Sequence, residues 1–352
     1  MREGFLDRAK LFSWMIAEAA KPPWEIEREI LVRVDAESNP DYGGDPYGRS
    51  TEELLKTCIL NIDKPRGPTS HEIAFTVRDL LNAERAGHGG TLDPAVSGVL
   101  PILINDATKC AGAVMRGGKE YVCIMRLHGE VSDEKLEEAI RFFTGEIYQV
   151  PPVRSSVSRM LRTRTIYRIE LLERDGRNIL IKVACSGGTY IRKLCHDIGL
   201  YLRCGAHMQE LRRTRAGPFS EEDCSTLLDL YGALKAYKEN GCEKSLRKIL
   251  KPIEEAVRHL PKIYLLDTAV DAICHGANLA VGGIAKLENL VKRNDVVAMM
   301  TLKGELVALG RSRMNAEEIV EKDRGIAVDT ERVIMKRGTY PPIWKGGKRR
   351  IR

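Results

Sequence analysis

What this chain lacks narrows its chemistry before any motif is read. Its 352 residues hold nine cysteines but no Cys-x-x-Cys pair, and the Cys195-His196 step has no second ligand pair at zinc spacing. A metal site is therefore not expected. An odd number of cysteines in a chain of this size argues against a disulfide framework. The thiols read as reduced, mostly buried small hydrophobes of a cytoplasmic protein. No apolar run approaches the length of a membrane span. Arg2, Glu3, Asp7 and Arg8 interrupt the opening residues, so no signal-peptide core is expected there. The glycine-rich stretches are not followed by a P-loop lysine, which disfavours nucleotide hydrolysis. A Ser/His/Asp hydrolase would need a nucleophile elbow, and there is none. Aromatics are scarce at 6%, and nothing repeats at a solenoid period.

What is present is a chain able to bury a core, 43% hydrophobic, with a net charge of +7. The distribution of charge says more than its sum. Arg154, Arg159, Arg162, Arg164 and Arg168 fall in a stretch without acidic residues. Arg203, Arg212, Arg213 and Arg215 form a second group, and Lys345, Lys348, Arg349, Arg350 and Arg352 a basic tail. Each run alone is more often a solvated face. Together they point to a polyanionic partner.

Residues 1–56 read as an N-terminal extension that packs on the second domain, residues 261–336. Phe12, Met15, Ile16 and Ala19 have helical spacing over 6–20, and Pro22-Pro23 ends that helix. Residues 57–258 read as a first domain of α+β type. A strand over 58–62 leads through a loop to a helix over 71–81 capped by Thr69 or Ser70. A β-prone run over 96–104 is interrupted by Gly98 and Pro101. A strand over 119–127, a helix over 132–143 and a long basic loop over 148–165 follow. Hairpin strands over 166–173 and 178–185, a helix capped by Thr189 and a strand over 205–215 come next. Helices fill 223–258. The composition changes near Pro261. Residues 261–336 carry short β-prone runs between glycines, the pattern of a small β-barrel, and 337–352 form the basic tail.

The densest chemical signal is Gly87-His88-Gly89-Gly90-Thr91-Leu92-Asp93-Pro94. Glycine admits positive φ and proline restricts the residue before it, so a helix interior or a central strand is excluded. The stretch reads as a shaped loop presenting one carboxylate and one imidazole. An Asp before Pro is commonly a turn residue. Two other residues make Asp93 a candidate for chemistry. Arg192, at a helix start after a double-glycine turn, can reach back to a carboxylate and hold it ionised in one rotamer, as a nucleophile needs. Tyr121, early in a strand, offers a flat ring or a phenol; its bland reading is an ordinary strand aromatic. Arg154 and Arg162 would contact phosphates, which position a nucleic acid without reading it.

Five ordered motifs carry a family resemblance: Lys64-Pro65-x-Gly67-x-Thr69-Ser70, the Gly87–Pro94 loop, Lys119-x-Tyr121, Gly188-Thr189-Tyr190-Ile191-Arg192-x-Leu194 and Leu211-Arg212-Arg213-Thr214-Arg215. Together they resemble the TruB-type pseudouridine synthases. Pro151-Pro152-Val153-Arg154-Ser155 and Gly205-Ala206-His207-Met208 narrow the resemblance to the archaeal dyskerin-like branch of box H/ACA guide-RNA particles. It covers essentially the whole chain. It implies a mixed-sheet catalytic domain plus a PUA β-barrel over 261–336 that binds the guide RNA's lower stem and ACA end. By resemblance, Asp93 is the catalytic aspartate, Tyr121 stacks on the flipped base and takes a proton late, and Arg192 pairs with Asp93. Tyr190 and Leu211 resemble pocket walls, and His88 a residue that holds the RNA. Lys64, Arg154 and Arg162 are expected at the substrate, with a mobile thumb near 150–162. The reaction needs no metal or cofactor. The implied partners are guide and substrate RNA, the small accessory proteins of the particle and a kink-turn-binding ribosomal-type protein, with no membrane. The implied function is guide-directed uridine isomerisation in ribosomal RNA. The alternatives are a stand-alone transfer-RNA synthase and a non-catalytic RNA-binding scaffold.

Overall fold

The computed structural model describes residues 20–151 and 160–342. The expected helix up to residue 19, Arg154, Arg159 and the tail from 343 lie outside the described residues. Strand β1 (Ile30–Val32) comes from the N-terminal extension. A first sheet then takes β2 (Ile59–Lys64), β3 (Ala86–His88), β4 (Ser97–Ile104), β5 (Lys119–Leu127), β6 (Gly145–Gln149), β7 (Arg162–Asp175), β8 (Asn178–Cys185), β9 (Ala206–Ala216) and β10 (Phe219–Ser220). Its order is β2-β4-β9-β5-β8-β7-β6, with β3 on β4 and β10 on β9. The β4–β9 pairing is parallel and the others are antiparallel, so the sheet is mixed. Helices α1 (Thr51–Lys56), α2 (Ser70–Leu80), α3 (Ala111–Arg116), α4 (Asp133–Phe143), α5 (Ile191–Tyr201), α6 (Leu227–Asn240) and α7 (Lys244–Ile249) accompany it. No helix among the described residues is long and apolar enough to cross a membrane.

Local chemistry explains most of these elements. Along β5, Tyr121, Cys123, Met125 and Leu127 point into the core at the period of two expected of a half-buried strand. Thr69 caps α2 through a reciprocal box with Glu72. Gly98 has φ +106, and a Cβ there would stand 2.1 Å from the Arg213 carbonyl oxygen. Only glycine lets β9 run alongside β4 at that point.

Four local expectations change. The run forms one uninterrupted strand over Ser97–Ile104, because Pro101 falls just past the last residue paired to β3, and its carbonyl still accepts from Gly89 N–H. Gly87 and His88 form the short edge strand β3, so the free loop begins at Gly89. The expected loop over 148–165 is shorter: β6 and β7 pair from Gly145↔Ile166 to Gln149↔Arg162, which places Arg162 in a strand. The N-cap of α5 is Tyr190, not Thr189, whose hydroxyl donates to Ser186 O at 2.8 Å instead.

The second sheet holds β11 (Lys262–Leu265), β12 (Leu279–Ala280), β13 (Ile284–Glu288), β14 (Val296–Thr301), β15 (Leu306–Ser312) and β16 (Ile326–Val333), in the order β1-β13-β11-β14-β15-β16-β12. Thus the extension adds a strand to this sheet. It also reaches the first one. Trp24 stacks against Arg215, 5.2 Å from the ring centroid, and Arg168 pairs with Glu25. Leu54 of α1 lies in the first sheet's core. A separate apolar core joins the two sheets, with Val99, Leu103, Val114 and Phe219 meeting Met300 and Leu309. A shared apolar core makes the two units one packed body rather than beads on a linker.

Candidate active site

The loop from Gly89 to Val96 is held almost carbonyl by carbonyl. Gly89 N–H donates to Pro101 O at 2.8 Å. The Arg213 guanidinium donates to Gly90 O at 3.0 Å and to Thr91 O at 3.5 Å. Ser70 Oγ donates to Leu92 O at 3.1 Å and accepts from Leu92 N–H at 2.8 Å. Val96 N–H closes a turn onto Asp93 O at 2.9 Å. Pro94 O takes Gly67 N–H at 2.9 Å, and Val96 O takes the Lys64 ammonium at 2.9 Å. Buried backbone groups left unpaired are costly, so this network leaves the loop little freedom to reshape. Its one acidic side chain is aimed outward.

Asp93 pairs with Arg192, the second residue of α5. Both side chains are about half exposed, at 52% and 54%, so the pair stands in reach of a ligand. An exposed pair adds little to stability; its use is to orient a carboxylate. The Arg192 side is anchored in the way the Asp93 side is. The buried amide of Gln149, at the end of β6, accepts from Tyr190 N–H at 3.0 Å and donates to Tyr190 O at 3.2 Å. Two neutral side chains, Ser70 and Gln149, thus clamp the main chain one residue before Asp93 and two before Arg192.

Tyr121 lies opposite Arg213 across the β5–β9 ladder and is 8% exposed. Burial pushes its phenol up to about 12, and the facing Arg213 guanidinium opposes that shift. Leu211 is buried on the same face of β9, opposite Cys123. Tyr190 is half-buried at the entrance to α5.

Several residues are placed differently from the sequence expectation. Lys64, expected at the substrate, is fully buried, and its ammonium donates to Pro65 O and Val96 O at 2.9 Å and to Pro94 O at 3.4 Å. It supports the loop from beneath and is closed to a ligand. His88 packs edge-on against His71 with centroids 4.9 Å apart. Burial, helped by His71 and Arg213, pulls His88 down to about 4. Its imidazole is neutral near pH 7, so any hold on RNA cannot come from a positive charge. Two members of the second arginine group are not open cations either. Arg212 is forked onto Asp63 at 3.0 Å and bound to Glu221 at 2.9 Å. Arg213 is 1% exposed. Ser70, Gln149 and the burial of Arg213 are the parts that sequence reasoning missed. No signal in composition or spacing marks them, because their partners are main-chain atoms far away in sequence. No group of three or more metal-ligating side chains occurs among the described residues.

Family models match most of the chain: the TruB family pseudouridylate synthase N-terminal domain over 78–191, the tRNA pseudouridylate synthase B C-terminal domain over 192–258, a PUA domain over 261–334 and a DKCLD (NUC011) domain over 21–74. The chain is 52% identical over 322 residues to the probable tRNA pseudouridine synthase B of Methanopyrus kandleri, covering 92% of this chain and 95% of that one. It is 53% identical over 316 residues to that of Archaeoglobus fulgidus, covering 90% and 97%. Among solved structures it is similar to the Cbf5-Nop10-Gar1 complex, with a TM-score of 0.87 at 52% identity over 91% of this chain and 98% of that one. It is also similar to the H/ACA RNP bound to a substrate RNA containing 2'-deoxyuridine, with a TM-score of 0.85 at 50% identity over 92% and 100%.

Proposed function

The chain belongs to the TruB family of pseudouridylate synthases, and on that premise we propose that it isomerises uridine in ribosomal RNA as the guide-directed catalytic subunit of a box H/ACA particle. The observation that carries the site assignment is the exposed Asp93–Arg192 pair on two independently clamped backbones. The reaction breaks the C1′–N1 bond, turns the base and forms a C1′–C5 bond. It asks for a flipped nucleotide and a fixed anion near the sugar–base junction. Asp93 supplies that anion as nucleophile or as the group that promotes elimination. Arg192 fixes its rotamer. Tyr121 lies under the base and takes the C5 proton, with Tyr190 and Leu211 as neighbouring walls. His88 packs at the loop's edge as a neutral group, and Arg162 of β7 contacts the RNA backbone.

Guide RNA reaches the second sheet. Where the two units meet, a cavity of about 400 Å³ is lined by Asp106, Lys109, His275, Lys336 and Arg337; Asp106 pairs with Lys109 at 3.2 Å, and Lys336 and Arg337 suit a phosphate backbone. Small proteins such as the Nop10 and Gar1 of the similar complexes complete the particle. The nine unbridged cysteines fit a reducing, cytoplasmic setting.

The decisive test is tritium release from RNA labelled at uridine C5, using the chain with guide RNA and partner proteins. The wild type should release tritium and Asp93→Ala should not. Because an exposed ion pair is worth no more than about 1 kcal/mol, Asp93→Ala should keep its melting temperature. Equal release from both proteins would remove Asp93 from the chemistry. A second reading, turnover on bare transfer RNA without guide, is favoured by the names of the relatives. Activity on such RNA with no partner present decides it.

A further inference from the structure

Arg192 meets Asp93 only if the start of α5 stands in the right place, and that start is set by the turn over 186–190. One side of the turn lies against main chain. A Cβ on Gly187 would stand 2.7 Å from Met115 O and 2.8 Å from Arg116 O, at the end of α3. The other side is gripped by the β6–β7 hairpin at every second residue. Ser186 N–H donates to Thr165 O at 2.8 Å, and Ser186 Oγ accepts from Thr165 N–H at 3.0 Å. Gly188 O accepts from Arg164 Nε at 3.0 Å. Tyr190 makes its two bonds with the Gln149 amide. Gln149, Arg164 and Thr165 all lie within the β6–β7 pairing.

Arg164 is the charged member of this grip. Its Nη1 donates to Thr163 O at 2.8 Å, so the guanidinium spans its own strand and the turn. Gly188 has φ +81, and a Cβ there would stand 3.1 Å from Arg164 Nη2. The glycine thus admits the left-handed backbone and lets the guanidinium approach it. A charged donor makes a bond roughly twice as strong as a neutral one. In the sequence Arg164 belongs to a basic run that could face a polyanion. In the fold it faces two carbonyls.

We infer that Arg164 is a positioning residue for the reaction proposed above: it fixes the turn 186–190 against the β6–β7 hairpin and so holds Arg192 on Asp93. This rests on the uridine-isomerising reading. The lever is short. Tyr190 O, held by Gln149, also accepts the first bond of α5, from Leu194 N–H at 3.0 Å. A shift of the turn therefore carries the first turn of the helix, and Arg192 with it. The Asp93 loop is held instead by Ser70, Lys64 and Arg213, so it stays when the turn shifts. Loss of Arg164 opens the Asp93–Arg192 pair from one side.

The test measures single-turnover pseudouridine formation and RNA affinity in the assembled particle. Wild type, Arg164→Met, Arg164→Lys, Arg192→Met and the double variant Arg164→Met with Arg192→Met are compared. A displacement of about 1 Å at a reacting group costs on the order of 10²-fold in rate. Arg164→Met should lose about that much, with RNA affinity and its salt dependence unchanged. Arg164→Lys keeps the charge but not the fork and should recover part of the rate; it takes the place of Arg164→Met in the cycle if that variant does not fold. Once Arg192→Met has removed the guanidinium to be positioned, Arg164→Met should add little further loss. A full second loss in the double variant, or a wild-type rate in Arg164→Met, overturns the inference. So does a salt slope lowered by about one, which would make Arg164 a phosphate contact. Amide exchange over 186–192 in the free chain reads the grip without any reaction. It should quicken about tenfold in Arg164→Met and keep the wild-type rate in Arg192→Met. Unchanged exchange in Arg164→Met would sink the inference and leave the functional reading standing. A wild-type particle that forms no pseudouridine would remove that reading, and the inference with it.

Discussion

Ser70→Ala is the most discriminating single change at this site. It deletes one oxygen from a residue 1% exposed, creates almost no cavity and removes no charge. It also removes both partners of Leu92, the 2.8 Å bond from Leu92 N–H and the 3.1 Å bond to Leu92 O. Each buried group left unpaired costs about 1–3 kcal/mol, so a loop that stayed in place would bear about 2–6 kcal/mol. The loop can relieve that strain only by moving. Arg213, Gly67 and Lys64 still hold Gly90 O, Pro94 O and Val96 O on either side. The movement is therefore concentrated on Leu92 and Asp93. A displacement of about 1 Å at a reacting group costs on the order of 10²-fold in rate, and that loss should appear in single-turnover rate with RNA affinity unchanged. Thr69→Ala is the matched control. It removes the exposed cap of the same helix, costs about 1 kcal/mol of stability and leaves Leu92 untouched, so its rate should stay at the wild-type level. If Ser70→Ala loses no more rate than Thr69→Ala, the loop is not held in place by Ser70 and the preorganisation argument fails.

Two further outcomes follow from the same geometry. Burial holds His259 at about 4 against an unfolded value of 6.5, and His88 likewise. Above pH 6.5 neither state binds the proton. As the pH falls from 6.5 to 4 the unfolded chain takes it up first, so stability is lost over that window, by up to about 3 kcal/mol for His259. Urea denaturation across pH 7 to 4 should show that loss, and it should shrink in His259→Gln. If Arg162 contacts a phosphate, Arg162→Ala should lower the slope of log affinity for RNA against log salt by about one. Arg212→Ala should leave the slope unchanged, since Asp63 and Glu221 already hold that charge.

The sequence alone determined the pieces with a local cause. Strand alternation along β5, the Thr69 cap of α2 and the glycine-shaped Asp93 loop all depend on near neighbours. So does the double-glycine turn that launches Arg192 from the start of a helix. The change of composition at Pro261 falls just before β11, after which every strand joins the second sheet. Only the tertiary structure decided what each cation does. Lys64, Arg212 and Arg213 stand in the sequence as basic residues that could face a polyanion. In the fold, Lys64 and Arg213 are buried on main-chain carbonyls brought to them from about 30 and 120 residues away, and Arg212 is taken by carboxylates. Ser70 and Gln149 became visible as clamps for the same reason. A carbonyl carries no side-chain identity, so no residue pattern announces which donor will reach it. The parallel pairing of β4 with β9, made possible at Gly98, brings Arg213 beneath the loop. The shared core likewise turned two sequence units into one body, because its partners lie on opposite sides of the expected boundary.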